Sequence, residues 1–546
     1  MEQPLPTDVE SLQKQVLDLS GQLDFFVQRS RHLEEQIALL RGQLFGRKTQ
    51  KLAVPEDDRQ MRLFNEAEDL EAEVPEEAGG EDGDEIVVAA HRRKKPGRRP
   101  LPEDLPRVDV VHDLPEEEKV CACGHVMERI GEEVSEKLDI IPARIVVERH
   151  IRPKYACKHC EGVESDKGAV QAAPMPPQLI PQGIVTPGLL AYIIIAKFAD
   201  ALPLYRQEKI FARLGVDLSR QTMAGWMIRV ATRLKILWEL LVEGLRAGPL
   251  IGLDETTVLV MKEPGRKNTT KSYMWVARGG DPSRPVVLFL YDPSRSAEVV
   301  KPLLEGYAGY VQTDGWKSYK DVLGKMAGIV LVNCWAHARA KFVDVLKARK
   351  QKKGGIKSGV ADKALSYIRA LYRIESHAEE HGLTPDEIKE LRREQSKPIL
   401  DEFFEWLEEC RPKVNPGGLL GKAIQYALNH RDALTVFLED GRIRLDNNLV
   451  ENLIRPFVVG RKNWLFSGSP AGAHASALLF TLIENAKANG LEPYAYLRYL
   501  LEKFPYAETR EDFRALLPQY IDPEVLKAYM AEKSPGVPGR TVVITE

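Results

Sequence analysis

From Leu250 onward, strand-length apolar runs and helical stretches follow one another in an order that few folds accommodate. Leu250-Ile-Gly-Leu-Asp254-Glu-Thr-Thr-Val-Leu-Val260 is a strand bearing an acidic residue among apolar neighbours. Two more strands follow, Tyr273 to Ala277 and Val286 to Tyr291, and then a helix from Ala297 to Leu304. A fourth strand, Tyr310-Val-Gln-Thr313, ends at Asp314; another helix leads to a fifth strand, Ile329 to Val332. The succession β-β-β-α-β-α-β predicts a mixed sheet with helices on its faces. In such a sheet Asp254 and Asp314 are neighbours, although sixty positions separate them in sequence.

That succession is the RNase H-like one. A lone carboxylate on a strand usually caps or pairs, but two in this arrangement favour a divalent cation, and hard oxygen ligands suit Mg2+ or Mn2+. A third carboxylate is sought in Asp446-Asn-Asn448-Leu-Val-Glu451-Asn452-Leu-Ile-Arg455, a helix start with Asp and Asn suited to its N-terminus. Asn448, Glu451, Asn452 and Arg455 recur at i, i+3, i+4 and i+7, which makes one face of that helix polar. Next, Gly460-Arg461-Lys462-Asn463-Trp464-Leu-Phe466-Ser467-Gly-Ser469 interleaves basic and aromatic residues on what is expected to be an extended stretch. That pattern suits a phosphate backbone with base stacking at Trp464; a buried tryptophan is the plainer alternative. His337 and Arg339, which follow the fifth strand, are candidates to order the metal ligands or meet a substrate, and Asn448 is a further auxiliary candidate. A satisfied structural histidine is the competing reading. Between Asp314 and Glu451 three helical patterns, Ala364 to His377, Thr384 to Arg393 and Pro398 to Glu408, predict an inserted helical subdomain.

The N-terminal half is a series of smaller modules. Leu12, Val16, Leu19, Leu23, Phe26, Ser30, Leu33, Ile37, Leu40 and Leu44 alternate spacings of four and three, the seam of a coiled coil, and this predicts self-association. From Glu56 to Glu85 fourteen acidic residues stand against two arginines, a segment expected to be disordered. The sign then reverses in His91-Arg92-Arg93-Lys94-Lys95-Pro-Gly-Arg98-Arg99, an arm suited to the DNA minor groove or to phosphates. Cys121-Ala-Cys123 and Cys157-Lys-His-Cys160 supply four sulfurs for a structural tetrahedral Zn2+, joined by strand-like stretches such as Ile145 to Val147. The C-x-C half is tight, so His125 or His159 is an alternative to one thiol. Leu204 to Leu214, the turn Gly215-Val-Asp217, and Ser219 as N-cap before Gln221 to Val230 predict a helix-turn-helix with Arg220 and Gln221 at the reading end.

The expected fold class is thus multidomain α+β, with an RNase H-like mixed-sheet catalytic core and a helical insertion. The coiled coil is expected over 8–48, the acidic linker over 49–90, the basic arm over 91–105 and the zinc-finger-like module over 106–175. The helical DNA-binding region follows over 185–247. The core spans 248–345 and 441–485, interrupted by the insertion at 346–440, and a helical region fills 486–546. A net charge of -3 over 546 residues announces no nucleic-acid binder globally, so that case rests on local patches. Six cysteines in so long a chain make no disulfide framework. No apolar run is long enough to span a membrane, the N-terminus is not that of a secretory signal, and the cytoplasm is the expected location.

Several long motifs stand in a fixed order: Leu44-Phe-Gly-Arg-Lys48, Gly97-Arg-Arg-Pro-Leu-Pro102, the cysteine module, Leu204-Tyr-Arg206, Gly252-Leu-Asp-Glu255, Thr313-Asp-Gly-Trp316, Cys334-Trp-Ala-His337, Asn448-x-x-Glu451-Asn452, and Leu482 to Tyr496. Over nearly its whole length the chain therefore resembles insertion-sequence transposases of the IS66 type, a branch of the DDE (RNase H-like) transposases. The resemblance implies that Asp254, Asp314 and Glu451 are a catalytic triad holding Mg2+ or Mn2+, two ions being expected, and that the cysteines form a zinc-finger-like module. It implies cleavage at the element's ends to free a 3′-OH, which attacks target DNA without a covalent protein–DNA intermediate. Double-stranded DNA (terminal repeats and target), a second copy of the chain and co-encoded accessory proteins are the implied partners, in the bacterial cytoplasm and at the nucleoid when DNA is bound. Arg92, Arg93, Lys94, Lys95, Arg98, Arg99, Arg220, Gln221, Arg455, Arg461, Lys462 and Trp464 are the expected DNA contacts. Two other functions share parts of this pattern: an RNase H-like nuclease, which would not join a 3′-OH to target DNA, and a catalytically silent DNA-binding regulator.

Overall fold

The computed structural model describes residues 174–350 and 359–533, together with 110–112, 145–156, 170–172, 542–544 and scattered positions from Gln13 to Ile37. The chain divides into two units, one comprising residues 1–72 and 176–526, the other residues 73–175 and 527–546.

The larger unit contains four successive helices, α1 (Pro187–Phe198), α2 (Leu204–Arg213), α3 (Arg220–Arg233) and α4 (Lys235–Leu245). The expected cap operates, Ser219 accepting from the amide of Thr222 at 3.2 Å, and Thr186 caps α1 in the same way, accepting from the amide of Leu189 at 3.2 Å. Gly215, at φ +81, makes the left-handed turn between α2 and α3. Met223, Trp226, Met227 and Val230 bury one face of α3, which leaves Arg220 and Gln221 exposed at its start.

The sheet has five strands: β1 (Leu250–Leu259), β2 (Lys271–Asp281), β3 (Arg284–Asp292), β4 (Gly309–Thr313) and β5 (Ile329–Asn333), in the order β3-β2-β1-β4-β5. The tight turn at Asp281 to Arg284 makes β2 and β3 antiparallel, as are β1 and β2, whereas β4 pairs in parallel with both β1 and β5. The expected helix at Ala297 to Leu304 is instead a 3-10 helix, Ala297–Leu303. Pro302 accounts for the difference, since it has no N–H to continue an α-helical ladder. α5 (Lys317–Val322) lies between β4 and β5, and α6 (Trp335–Lys350) follows β5.

The insertion comprises α7 (Val360–Glu380), α8 (Pro385–Leu391), α9 (Lys397–Cys410), α10 (Leu419–Asn429) and α11 (Arg431–Thr435). Ile368, Leu371, Phe403, Phe404, Leu407 and Phe437 bury together, joined by Trp335 and Phe342 of α6. The guanidinium of the buried Arg392 donates to the carbonyls of Phe437, Asp440 and Ile443 and pairs with Glu375 at 2.6 Å, so this internal charge is fully partnered.

The chain then returns to the sheet as α12 (Asn448–Trp464) and α13 (Pro470–Ala488), with α14 (Pro493–Lys503) beyond. α13 covers the outer edge of β3. Its Thr481 accepts from the Phe289 amide at 2.8 Å, and Asn485 both accepts from the Val287 amide (3.1 Å) and donates to its carbonyl (2.5 Å). An edge strand whose outward groups are satisfied in this way cannot template another chain.

In the second unit, Val110–His112 pairs in parallel with Val542–Ile544, and Lys154–Ala156 pairs antiparallel with Val170–Ala172. Ile145 to Val147, expected to be strand-like, are exposed and form no regular structure, and the C-terminal region expected to be helical contains a strand. Between Gln13 and Ile37 the described positions are helical, and the apolar ones are exposed, Leu23 by 65% and Phe26 by 62%. Among the described residues no helix is long and apolar enough to cross a membrane.

Candidate active site

β1 alternates its side chains between the two sheet faces, so Asp254 and Glu255 diverge although adjacent. β1 and β4 pair with Gly252 opposite Gln312; continuing that register by two residues sets Asp254 beside Asp314, directly after the end of β4. α12 lies against β1 at Gly252, where an added methyl would meet Val450 Cγ2 at 2.5 Å and Asn447 Oδ1 at 2.8 Å. Only a glycine allows the helix this close. Asn447 secures the contact by donating to the Leu253 carbonyl at 3.0 Å while its own amide donates to Cys334 Sγ at 3.2 Å. Asp446 accepts from the Asn448 amide at 3.2 Å, in keeping with an acidic helix start. Val450, Ile454 and Phe457 anchor the buried face of α12.

This places Glu451 within electrostatic reach of both aspartates. Burial pushes the carboxyl of Asp254 well above its ordinary range, and the negative charges of Glu255, Glu451 and Asp314 push it further. The Glu451 carboxyl is likewise raised, first by burial and then by Asp446 and Asp314, with His337 opposing. His337 Nδ1 lies 3.6 Å from Glu451 Oε1, and both atoms are buried without a hydrogen-bond partner. Cys334 Sγ, His337 and Glu451 converge so that their donor atoms all fall within 4.8 Å of one another. Asp314 Oδ1 accepts from the Trp316 amide at 2.7 Å, and Asp254 Oδ1 from the Glu255 amide at 2.8 Å. Among the described residues no basic side chain pairs with Asp254 or Asp314. Half-buried carboxylates with oxygens that no described residue pairs are a donor set that a divalent cation fits.

On the other face, Glu255 is fully engaged. Its two oxygens accept from Arg295 Nε at 2.9 Å and from Tyr319 Oη at 2.6 Å. Arg295 in turn stacks 4.3 Å from the Trp316 ring. Sequence reasoning passed over Glu255, Arg295 and Tyr319; the hint was the Asp254-Glu255 pair, but nothing local reveals which member is braced.

The residues from Gly460 onward differ from expectation. α12 continues through Trp464 and ends where Leu465 turns to φ +67, so Arg461 and Lys462 occupy a last helical turn, not an extended strand. Lys462 is exposed, but Arg461 is half-buried and donates to Thr257 O, Thr256 Oγ1 (3.2 Å) and Thr257 Oγ1 (3.1 Å), bracing α12 against β1. Trp464 is half-buried and packs against the core among Phe198, Phe457 and Phe480, with Lys197 Nζ 4.4 Å from its ring. Continuous helical hydrogen bonding and the aromatic cluster outweigh the strand-like pattern. Asn448 and Arg455 are half-buried on α12, and Arg339 on α6. Arg92, Arg93, Lys94, Lys95, Arg98 and Arg99, and Cys121, Cys123, Cys157 and Cys160 with the alternatives His125 and His159, lie outside the described residues.

Comparison with known proteins gives a consistent picture. Residues 182–475 match the model of the Transposase IS66 family. Residues 118–161 match the zinc-finger binding domain of transposase IS66, residues 32–110 the Transposase C of IS166 homeodomain, and residues 481–519 the IS66 C-terminal element. Three uncharacterized proteins of Sinorhizobium fredii are similar over most of their length. y4jD is 35% identical, with 94% of this chain and 96% of that protein covered. y4qI is 35% identical with coverages of 91% and 90%, and y4hP 30% identical with coverages of 86% and 85%.

Proposed function

This chain belongs to the IS66 family of transposases, and on that premise we propose that it is a DDE transposase that cleaves the ends of an insertion sequence and joins the freed 3′-OH to target DNA. One observation supports the reading: Asp254 on β1 and Asp314 directly after β4 stand at neighbouring parallel strands, and the helix bearing Glu451, whose Oε1 is buried and unpartnered, packs on β1 at Gly252. The strand order β3-β2-β1-β4-β5 supports an RNase H-like core. Asp254 and Asp314 on the sheet and Glu451 on α12 would hold Mg2+ or Mn2+. Two such ions supply activation of the attacking oxygen and stabilisation of the leaving one.

The protein's own part is positioning. The close contact at Gly252 and the Asn447–Leu253 bond bring the helix bearing Glu451 to the strand bearing Asp254. His337, 3.6 Å from Glu451, orders that carboxylate or meets the reacting phosphate. DNA is gripped by the basic arm and by the start of α3, whose exposed Arg220 and Gln221 stand where helix-turn-helix proteins read bases. Arg455 and Lys462 add contacts along α12. A zinc ion held by Cys121, Cys123, Cys157 and Cys160 is supported by the zinc-finger match, and the exposed apolar seam from Val16 to Ile37 supports pairing of two copies through a coiled coil.

The test is Asp314→Asn in the full chain, with DNA carrying both ends of the element that encodes it. The variant is expected to bind those ends as the wild type does while losing Mn2+-dependent cleavage and joining by a factor on the order of 10³. Retained joining would overturn the triad; wild-type cleavage without joining would favour a nuclease.

A further inference from the structure

Beside the carboxylate cluster, the loop after β4 forms one wall of a cleft of about 450 Å³, lined by Gly315, Lys317, Lys320, Asp321, Asn429 and His430. The opposite wall is the end of α10, from the helical insertion. Two hydrogen bonds fix the walls. Tyr426 Oη donates to the Asp314 carbonyl at 2.7 Å, and Asn333 Nδ2 meets His430 Nδ1 at 2.8 Å. Gly315, at φ +82, completes the join, because a side chain there would press on Tyr426 Oη and Asn333 Nδ2.

The chemistry of the lining is directional. With the Asn333 amide nitrogen as donor, His430 Nδ1 is the acceptor, so the neutral ring carries its proton on Nε2. Burial lowers the proton affinity of His430, and the charges of Lys320 and Lys341 lower it further, against the pull of Asp314. Lys341 sits 4.5 Å from the Tyr426 ring, whose neighbour is His430. Lys317 and Lys320 in the lining and Lys341 beside Tyr426 make the local potential positive, and the neutral ring keeps an N–H donor for an anion. Lys317 and Lys320 are exposed, and Asp321 is the single carboxylate in the lining.

We propose that this cleft binds a backbone phosphate of the DNA strand reacting at Asp314, with Lys317 and Lys320 as its ionic partners and His430 as its hydrogen-bond donor. The assignment rests on the transposase reading above and extends it. It gives the helical insertion a direct role: α10 and the catalytic loop together grip the strand one or more phosphates away from the bond that breaks. The fixed phosphate sets the register of the strand without reading its sequence.

The experiment measures binding of the full chain to a mixed-sequence DNA duplex by fluorescence anisotropy over a range of salt concentrations, without divalent cations. The double variant Lys317→Gln, Lys320→Gln is expected to bind about tenfold more weakly at low salt and to flatten the plot of log affinity against log salt by about 1 to 2. Lys503→Gln, on α14, is expected to leave both unchanged. An unaltered slope in the double variant overturns the proposal, as does an equal loss per lysine in Lys503→Gln. Both replaced lysines are exposed, so the unfolding temperature is expected to stay the same. Failure of the wild type to join DNA ends would refute the transposase reading while leaving the salt slopes readable.

Discussion

Asp254 and Glu255 are adjacent on one strand, yet the two faces of β1 treat them in opposite ways. Glu255, with its side chain 2% exposed, has a cation and a phenol on its two oxygens. Asp254 has one backbone amide and three negative neighbours. The contrast separates structural from chemical acidity. A buried carboxylate that is fully partnered contributes to the fold, whereas buried carboxylates left to repel one another store a demand for positive charge. The helix α12 repeats the lesson along its length. Glu451, near its start, has an unpartnered oxygen, while Arg461, near its end, braces three oxygens of β1.

The sharpest way to break this comparison is to neutralise one acid on each face. Glu451→Gln is expected to lower end joining by a factor on the order of 10³. The metal-free chain should unfold at the same or a higher temperature, since the change removes repulsion. Joining that survives the substitution would remove Glu451 from the chemistry.

Glu255→Ala is expected to do the reverse to stability. It strands the buried Tyr319 hydroxyl and releases Arg295, which is half exposed and therefore contributes less; the expected cost is about 2 kcal/mol by denaturant unfolding. A neutral result would mean that the brace is ornamental and that the two faces differ less than their geometry implies.

The smallest effect concerns pH. The folded-state proton affinity of Asp254 is raised above that of an unfolded chain, so its contribution to stability is complete below about pH 4 and is lost as pH rises through the folded value. The metal-free wild type is therefore expected to lose stability on alkalinisation across that window. Asp254→Asn should flatten the profile, and Mn2+ should raise the unfolding temperature at pH 8 in the wild type more than in the variant. A profile of identical shape in both proteins would show that Asp254 is not strained.

Much of the sheet was legible because strands announce themselves by apolar runs bounded by turns: four of the five expected segments lie within observed strands, and the first strand ends at Leu259, one residue short of the expected Val260. The polar face of α12 was legible from its helical spacing. Three things were not. Period alone could not tell that Gly460 to Trp464 stays helical, because Trp464 is held by Phe198, from far upstream, and by Phe480. The division of labour between Asp254 and Glu255 depends on Arg295 and Tyr319, forty and sixty-four positions away. The basic cleft joins α5 to the end of α10 across more than a hundred residues, and no local pattern carries such a pairing.

The seam at Asn447 also has a consequence in time. A ribosome releases Asp314 137 residues before Glu451, and at about 5–20 residues per second that interval is roughly 7–27 s. Throughout it the sheet lacks both α12 and the Asn485 and Thr481 side chains that later cover β3. Any polypeptide released within that window carries the two aspartates without their partner. On the proposed reading, an unfinished or prematurely terminated copy would be chemically mute, because the carboxylate cluster is completed only when the helix bearing Glu451 docks on its glycine late in synthesis.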